Sequence, residues 1–173
     1  MDLTKAILPD SIVVSGRCYQ IKTGHPYWFR FAQLISEKCL VTDFDHLYTY
    51  DIPEDRQAGI DELVKFFSEK KELPRGESSG DPVLDYDLDS ELIYSGILQC
   101  YGIDLYEKEY HWYKVRAMIT GLTGTRLNDI IGYRLYTGQD KDLIKLKQKW
   151  ALPEKMTAEE KKIKDRFDAQ LEV

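Results

Sequence analysis

The 173-residue sequence predicts a mainly α-helical protein: a small N-terminal β-hairpin, then about six to seven helices, with an αα-hairpin at the centre. Three observations carry this reading. Apolar residues recur at i, i+3, i+4 and i+7 in successive blocks, the period of a half-buried helix. Strand-like runs are confined to Ile12–Ile21, where β-branched residues flank a Ser15-Gly16 turn. The densest apolar and aromatic stretch, Asp85 to Leu122, carries a helical stripe on each side of Gly102.

Taken in order, Met1 to Asp10 form a lead-in closed by Pro9. The hairpin follows, and because a lone hairpin is marginal in water it must pack on a helix or pair with another strand. Thr23 is placed to cap the next helix, with Pro26 in its first turn and Trp28, Phe31, Ala32 and Ile35 as its stripe, ending near Lys38. Val41 to Ile52 is irregular and reads as a polar loop. Pro53 fits a first helical position, and Ile60, Leu63, Val64 and Phe67 form the stripe behind it.

In the central hairpin, Asp87, Asp89 or Ser90 would satisfy the first-turn N–H groups of a helix bearing Leu88, Leu92, Ile93, Ile97, Cys100 and Tyr101. Gly102 stops it, and a short turn leads to a second helix carrying Trp112, Val115, Ile119 and Leu122 and ending at Gly121. Thr125 then caps a helix with Leu127, Ile130, Ile131 and Leu135, ended by Gly138. Leu143, Leu146 and Trp150 mark a shorter one before Pro153. Thr157-Ala-Glu-Glu160 is a capping box for a charged helix with only Ile163, Phe167 and Leu171 as its large apolar residues. So narrow a stripe is a partner-binding seam or a helix laid across the domain.

The Pro/Gly/Ser-rich break divides the chain into residues 1–73 (hairpin and helices), a linker over 74–84 and a helical lobe over 85–173, together one compact protein. Net charge is −6, and Asp43–Glu109 holds 18 acidic against 6 basic residues. Without a strongly basic region, phosphate backbones have no match, and nucleic acid is not an expected ligand. Cys18, Cys39 and Cys100 are odd in number and widely spaced, as suits free thiols in a reducing cytosol. No signal-peptide pattern and no bilayer-length apolar run is present.

Catalytic and metal signatures fail on inspection. Asp85-x-Asp87-x-Asp89 opens like a calcium loop, but the sixth and twelfth positions are Ser90 and Gly96 where Gly and Glu are needed. Asp43, Asp45 and His46 match no ligand spacing. Cys100 and His111 would face one another across the hairpin, yet nothing nearby orients them or builds an oxyanion site. His111 reads as a structural histidine inside the second helix. No phosphate-binding or nucleophile-elbow motif occurs. The expectation is a non-enzyme with no catalytic residues, no metal and no cofactor, which binds protein through aromatic and aliphatic surface.

His111-Trp112-x-Lys114-x-Arg116-Ala117-x-x-x-Gly121-Leu122, after Tyr101-Gly102-Ile103-Asp104-Leu105, resembles the bacteriophage gene-product-fifteen family. Thr23 with Trp28, Asp51-Ile52-Pro53, Tyr133-Arg134 and Trp150-Ala151-Leu152-Pro153 extend the similarity in order, with departures at Tyr113 and Val115. The resemblance implies a tail assembly chaperone, encoded beside the tape-measure protein, that keeps that long helix-rich chain soluble in the host bacterial cytoplasm during virion morphogenesis. The alternative is a structural tail or connector component retained in the virion. The expected contacts are Tyr94, Trp112 and Tyr113, with Ile163, Phe167 and Leu171 as a second, self-associating surface. Other tail proteins, a second copy of the chain and a host defence sensor are the further partners to consider; no membrane is among them.

Overall fold

The computed structural model describes residues 4, 7–37, 39–68 and 83–153. Among these, a two-stranded antiparallel hairpin is followed by six α-helices and one 3-10 helix. Strands β1 (Ser11–Val14) and β2 (Arg17–Gln20) pair Ser11 with Gln20 through Val14 with Arg17. Ser15 and Gly16 between them have φ of 49° and 81°, the left-handed pair that matches the right-handed twist of a two-residue hairpin. Ile12, Val14 and Tyr19 turn inward. The hairpin meets both of its needs, since β1 packs on α2 (Arg56–Ser68) and Ile21, just past β2, bridges to Tyr48.

Helix α1 (His25–Glu37) begins at His25, and the Thr23 carbonyl accepts the Trp112 N–H at 2.7 Å. Its buried face is Trp28, Phe31 and Leu34, while Ile35 is exposed. The stripe is rotated by one residue because Trp28 is drawn toward the aromatic cluster of Phe66, Phe67 and Trp112.

Val41–Leu47, expected as a polar loop, is a 3-10 helix. Its apolar residues Phe44 and Leu47 are three apart, the period of a 3-10 turn, so both are buried while Asp43 faces out. The Asp43 carboxylate turns back to the Leu40 N–H at 2.9 Å. Pro53 lies ahead of α2 rather than inside it, and Asp55 accepts the Ala58 N–H. Of the expected α2 stripe, Ile60 and Leu63 are buried, whereas Phe66 takes the inward place expected of Val64.

Helices α3 (Ser90–Tyr101) and α4 (Trp112–Thr120) pack together as the central pair. Their connection is longer than a tight turn and runs from Gly102 to His111. Gly102 has φ of 63° and ends α3 in the left-handed conformation glycine adopts without strain. Ile93, Gly96 and Ile97 face inward, and Leu88, Cys100 and Tyr101 are exposed. Thr125 and Asn128 form a reciprocal cap for α5 (Arg126–Arg134), and Asp140 caps α6 (Lys141–Trp150).

Two cores result. The first gathers the hairpin, α1, the 3-10 helix and α2 around Trp28, Leu47 and Leu63. The second gathers α3, α4 and α5 around Ile93, Ile97 and Leu127. Helix α4 serves both, sending Trp112 and Tyr113 into the first and Val115 into the second. Phe29 and Tyr86 line both.

The acidic run before α3 is structural. The Asp85 carboxylate accepts the Asp87 and Leu88 N–H groups at 2.9 and 3.1 Å. Asp89 accepts two hydrogen bonds from Arg134, at 2.7 and 2.9 Å, with the two side chains 3% and 7% exposed. Arg134 also donates to the Val83 and Trp150 carbonyls. These acids therefore serve backbone N–H groups and one guanidinium.

Candidate functional site

The outer face of α1, the first half of α3 and the 103–110 segment enclose an open groove of about 440 Å³. Apolar ligand sites of this size class are common on proteins. Phe29, Ile93 and Leu105 form its floor, Tyr86 and Tyr94 its sides, and Tyr106 stands 89% exposed at the mouth. Tyr94 and Tyr106 meet edge to face with centroids 5.4 Å apart. The lining sets Asp87 and Glu109 against Lys108, and Asp104 and Glu107 lie on the same segment as Glu109.

Local chemistry explains why the walls hold their shape. The Asp104 carboxylate accepts the Tyr106 N–H at 2.8 Å, a turn that projects Tyr106 outward. Gln33 donates to Asp87 at 2.5 Å, tying α1 to the turn before α3. His25, buried at the start of α1, accepts the Tyr110 N–H on Nδ1 at 3.1 Å, and its own backbone N–H donates to the Tyr110 carbonyl at 2.8 Å. With Nδ1 accepting, the imidazole hydrogen sits on Nε2, and His25 holds the Tyr110 end of the 105–110 segment to α1.

His111 repeats this arrangement at the N-terminus of α4, outside the helix rather than within it. Nδ1 accepts the Tyr113 N–H at 3.1 Å, and Nε2 lies 2.9 Å from the Pro9 carbonyl. Burial lowers the pKa of both histidines from the ordinary 6.5. Unfolded histidine takes up a proton near 6.5, whereas the folded imidazoles resist it. The unfolded chain thus binds more protons, and stability rises with pH through this window. The contribution is complete above 6.5 and is lost as pH falls from there toward the lowered folded-state values. Melting temperature is expected to drop between about pH 7 and about pH 5, with a shallower drop in His25→Gln/His111→Asn. An unchanged slope in that double variant would count against the two histidines.

The sequence-predicted contacts separate on this map. Tyr94 lies in the groove, half-buried. Trp112 and Tyr113 are 0% and 5% exposed, so neither meets a partner that docks on the folded surface. Trp112 stacks on Phe67 at 4.9 Å, and Tyr113 stacks on Phe66 at 4.6 Å. Ile163, Phe167 and Leu171 lie outside the described residues. Phe29, Tyr86, Leu105 and Tyr106 complete the groove without having been singled out. Tyr86, between Asp85 and Asp87, and Tyr106, between Asp104 and Glu107, are aromatics set among acids, a signal that could have found them.

Cys100 is exposed and lies 3.6 Å from the Thr123 carbonyl, while the His111 ring is engaged with Pro9 and Tyr113. Among the described residues no three of His, Cys, Asp and Glu gather as a metal set, and no helix is long and apolar enough to cross a membrane.

The structure thus defines a small, mainly helical protein with a clamped N-terminal hairpin and one open aromatic groove between two cores. The chain belongs to the bacteriophage Gp15 protein family, whose model matches residues 6–167. No curated protein and no solved structure matches it.

Proposed function

We propose that this phage protein is a tail assembly chaperone that binds the tape-measure protein and keeps it soluble during tail morphogenesis. The observation that carries the reading is the groove, with an apolar floor, the paired rings of Tyr94 and Tyr106, and the carboxylates of Asp87 and Glu109 in its lining. A newly made helix-rich chain exposes apolar faces, and a groove of this shape takes the apolar face of an amphipathic helix. Tyrosine supplies large contact area at little conformational cost, while the rim carboxylates favour segments with flanking Lys or Arg. The chain binds rather than catalyses in this reading, acting in the host cytoplasm without metal or cofactor.

Co-expression with the tape-measure protein of the same genome tests it, scored by solubility and co-purification. The tape measure is expected to become soluble and to co-elute. Tyr94→Ala/Tyr106→Ala should weaken capture roughly 30-fold, the scale of losing a central aromatic contact. Tyr106→Ala alone should keep the unfolding midpoint near that of the parent, because Tyr106 is exposed, whereas the half-buried Tyr94 packs against the second core and its loss lowers the midpoint of the pair. An insoluble tape measure, with this chain eluting alone and present in purified particles, would favour the tail or connector component instead.

A further inference from the structure

We infer that the outer edge of β1 is a self-pairing surface, on which a second copy of this chain docks its own β1 in antiparallel register. The hairpin has two edges, and the fold covers the β2 edge. There the Thr49 N–H donates to the Gln20 carbonyl at 3.0 Å and the Lys22 N–H to the Leu47 carbonyl at 2.8 Å. Inside the hairpin, the Ile21 N–H donates to the Asp10 carbonyl at 2.9 Å, which marks Asp10 and Ile21 as a hydrogen-bonded pair. Antiparallel ladders alternate, so Ile12 with Tyr19 and Val14 with Arg17 bond across the hairpin. The N–H and C=O groups of Ser11 and Val13 then point away from β2. Among the described residues nothing pairs with those four groups.

Edge strands are ordinarily protected by charge, proline, a bulge or a covering element. Ser11–Val14 has no charged residue and no proline, and its register with β2 runs unbroken from Ser11 with Gln20 to Val14 with Arg17. Ile12, Val13 and Val14 are β-branched, the type that suits a pleated ladder. Val13 is 57% exposed, while its neighbours Ile12 and Val14 are buried.

The pattern of this edge names its occupant, because the edge complements itself. With Ile12 of each copy on a two-fold axis, Ser11 lies opposite Val13 of the second copy, and Val13 opposite Ser11. Each pair exchanges two hydrogen bonds, so four bonds satisfy every outward group on both strands. The ladder also stops cleanly. In this register Pro9 meets Ser15 of the second copy. Pro9 has no N–H to leave unpaired and its carbonyl lies 2.9 Å from His111 Nε2, while Ser15 turns away with φ of 49°. Asp10 falls opposite Val14 rather than opposite another acid, and Val13 falls beside the small Ser11. Neither Ser11 nor Val13 lines the aromatic groove, so the ladder uses none of its residues. For a long partner with repeated sites, two grooves in one particle add avidity.

Sedimentation of the full chain alone, across about a hundredfold range of concentration, is expected to show a monomer–dimer equilibrium. Val13→Pro removes an outward N–H from each strand without touching a bond inside the hairpin, because proline is tolerated where the N–H faces solvent. It should weaken association at least about tenfold, as the loss of two of four hydrogen bonds requires. In the parent chain, amide exchange read by NMR should slow at Ser11 and Val13 as the dimer fills, with Ile12 and Val14 little changed. That measurement decides the matter by itself where Val13→Pro fails to fold. A monomer at every concentration would overturn the inference. So would a dimer that a folded Val13→Pro leaves intact, or one in which the Ser11 and Val13 amides exchange as freely as in the monomer. No tape measure enters this experiment, and its result does not depend on what the groove binds.

Discussion

Arg134→Ala is expected to destabilise the protein by about 3–5 kcal/mol, the cost of breaking a buried ion pair from one side. The carboxylate of Asp89, 3% exposed, would lose both guanidinium hydrogen bonds and keep only the Asp85 N–H at 2.9 Å. The Val83 and Trp150 carbonyls would lose their Arg134 donor in the same step. For a chain of this size the melting temperature should fall on the order of 10 °C. Asp89→Ala should cost a similar amount, since the buried guanidinium keeps its two carbonyls but loses its counter-charge, and the Asp85 N–H loses its acceptor. The double variant should lose clearly less than the two single losses combined, because no unpaired charge is left behind. Arg134→Lys should recover little, since an ammonium cannot serve a bidentate carboxylate and two carbonyls from one fork. Denaturant unfolding of the four proteins and the parent measures all of this. A loss below about 1 kcal/mol for Arg134→Ala would mean that the pair behaves as a solvated one.

Trp112→Ala carries the second large effect, about 3–5 kcal/mol for emptying a tryptophan site in a core. The indole is 0% exposed, lies parallel to Phe67 at 10°, and sits 5.7 Å from Phe29 and 5.6 Å from Tyr86. Its Nε1–H donates to the Phe67 carbonyl at 3.0 Å, which also accepts from Arg116 at 2.8 Å. Trp112→Phe should therefore cost much less than the alanine change: the stack is partly kept, and Arg116 still satisfies the carbonyl. Because Phe29 and Tyr86 line the groove as well as this core, Trp112→Ala should weaken partner capture by loosening the floor. Tyr106→Ala separates the two roles, lowering capture at nearly unchanged stability. If Trp112→Ala kept full stability and lost only binding, the residue would be a contact and not a core member.

The helices were legible because each carries its own start, stop and stripe. Thr125 capping α5, Gly102 ending α3 and the Ser15-Gly16 turn are local events decided by side chains within a few residues. Phases were less legible. Ile35 and Leu34 both fit an α1 stripe on spacing, and the aromatic partners of Trp28 chose between them. The 3-10 helix at Val41–Leu47 was missed because seven residues with two inward apolar side chains look polar in any longer window. Trp112 and Tyr113 read as contact residues because aromatics serve cores and interfaces alike, and composition does not distinguish them.

What the sequence determined by itself is the inventory: one hairpin, a succession of helices with their caps, an uneven negative charge and the family to which the chain belongs. Those properties depend on neighbours along the chain. Tertiary structure alone decided which of those helices share a core, and it did so through pairs far apart in sequence. His25 reaches Tyr110, Arg134 reaches Asp89, and Trp112 reaches Phe67. The groove is a product of such pairs, since Phe29 from α1 and Tyr94 from α3 become neighbours only when α4 is shared between two cores. A concave surface belongs to the packing of elements, whose relative placement is set by burying the most apolar area with every inward polar group satisfied.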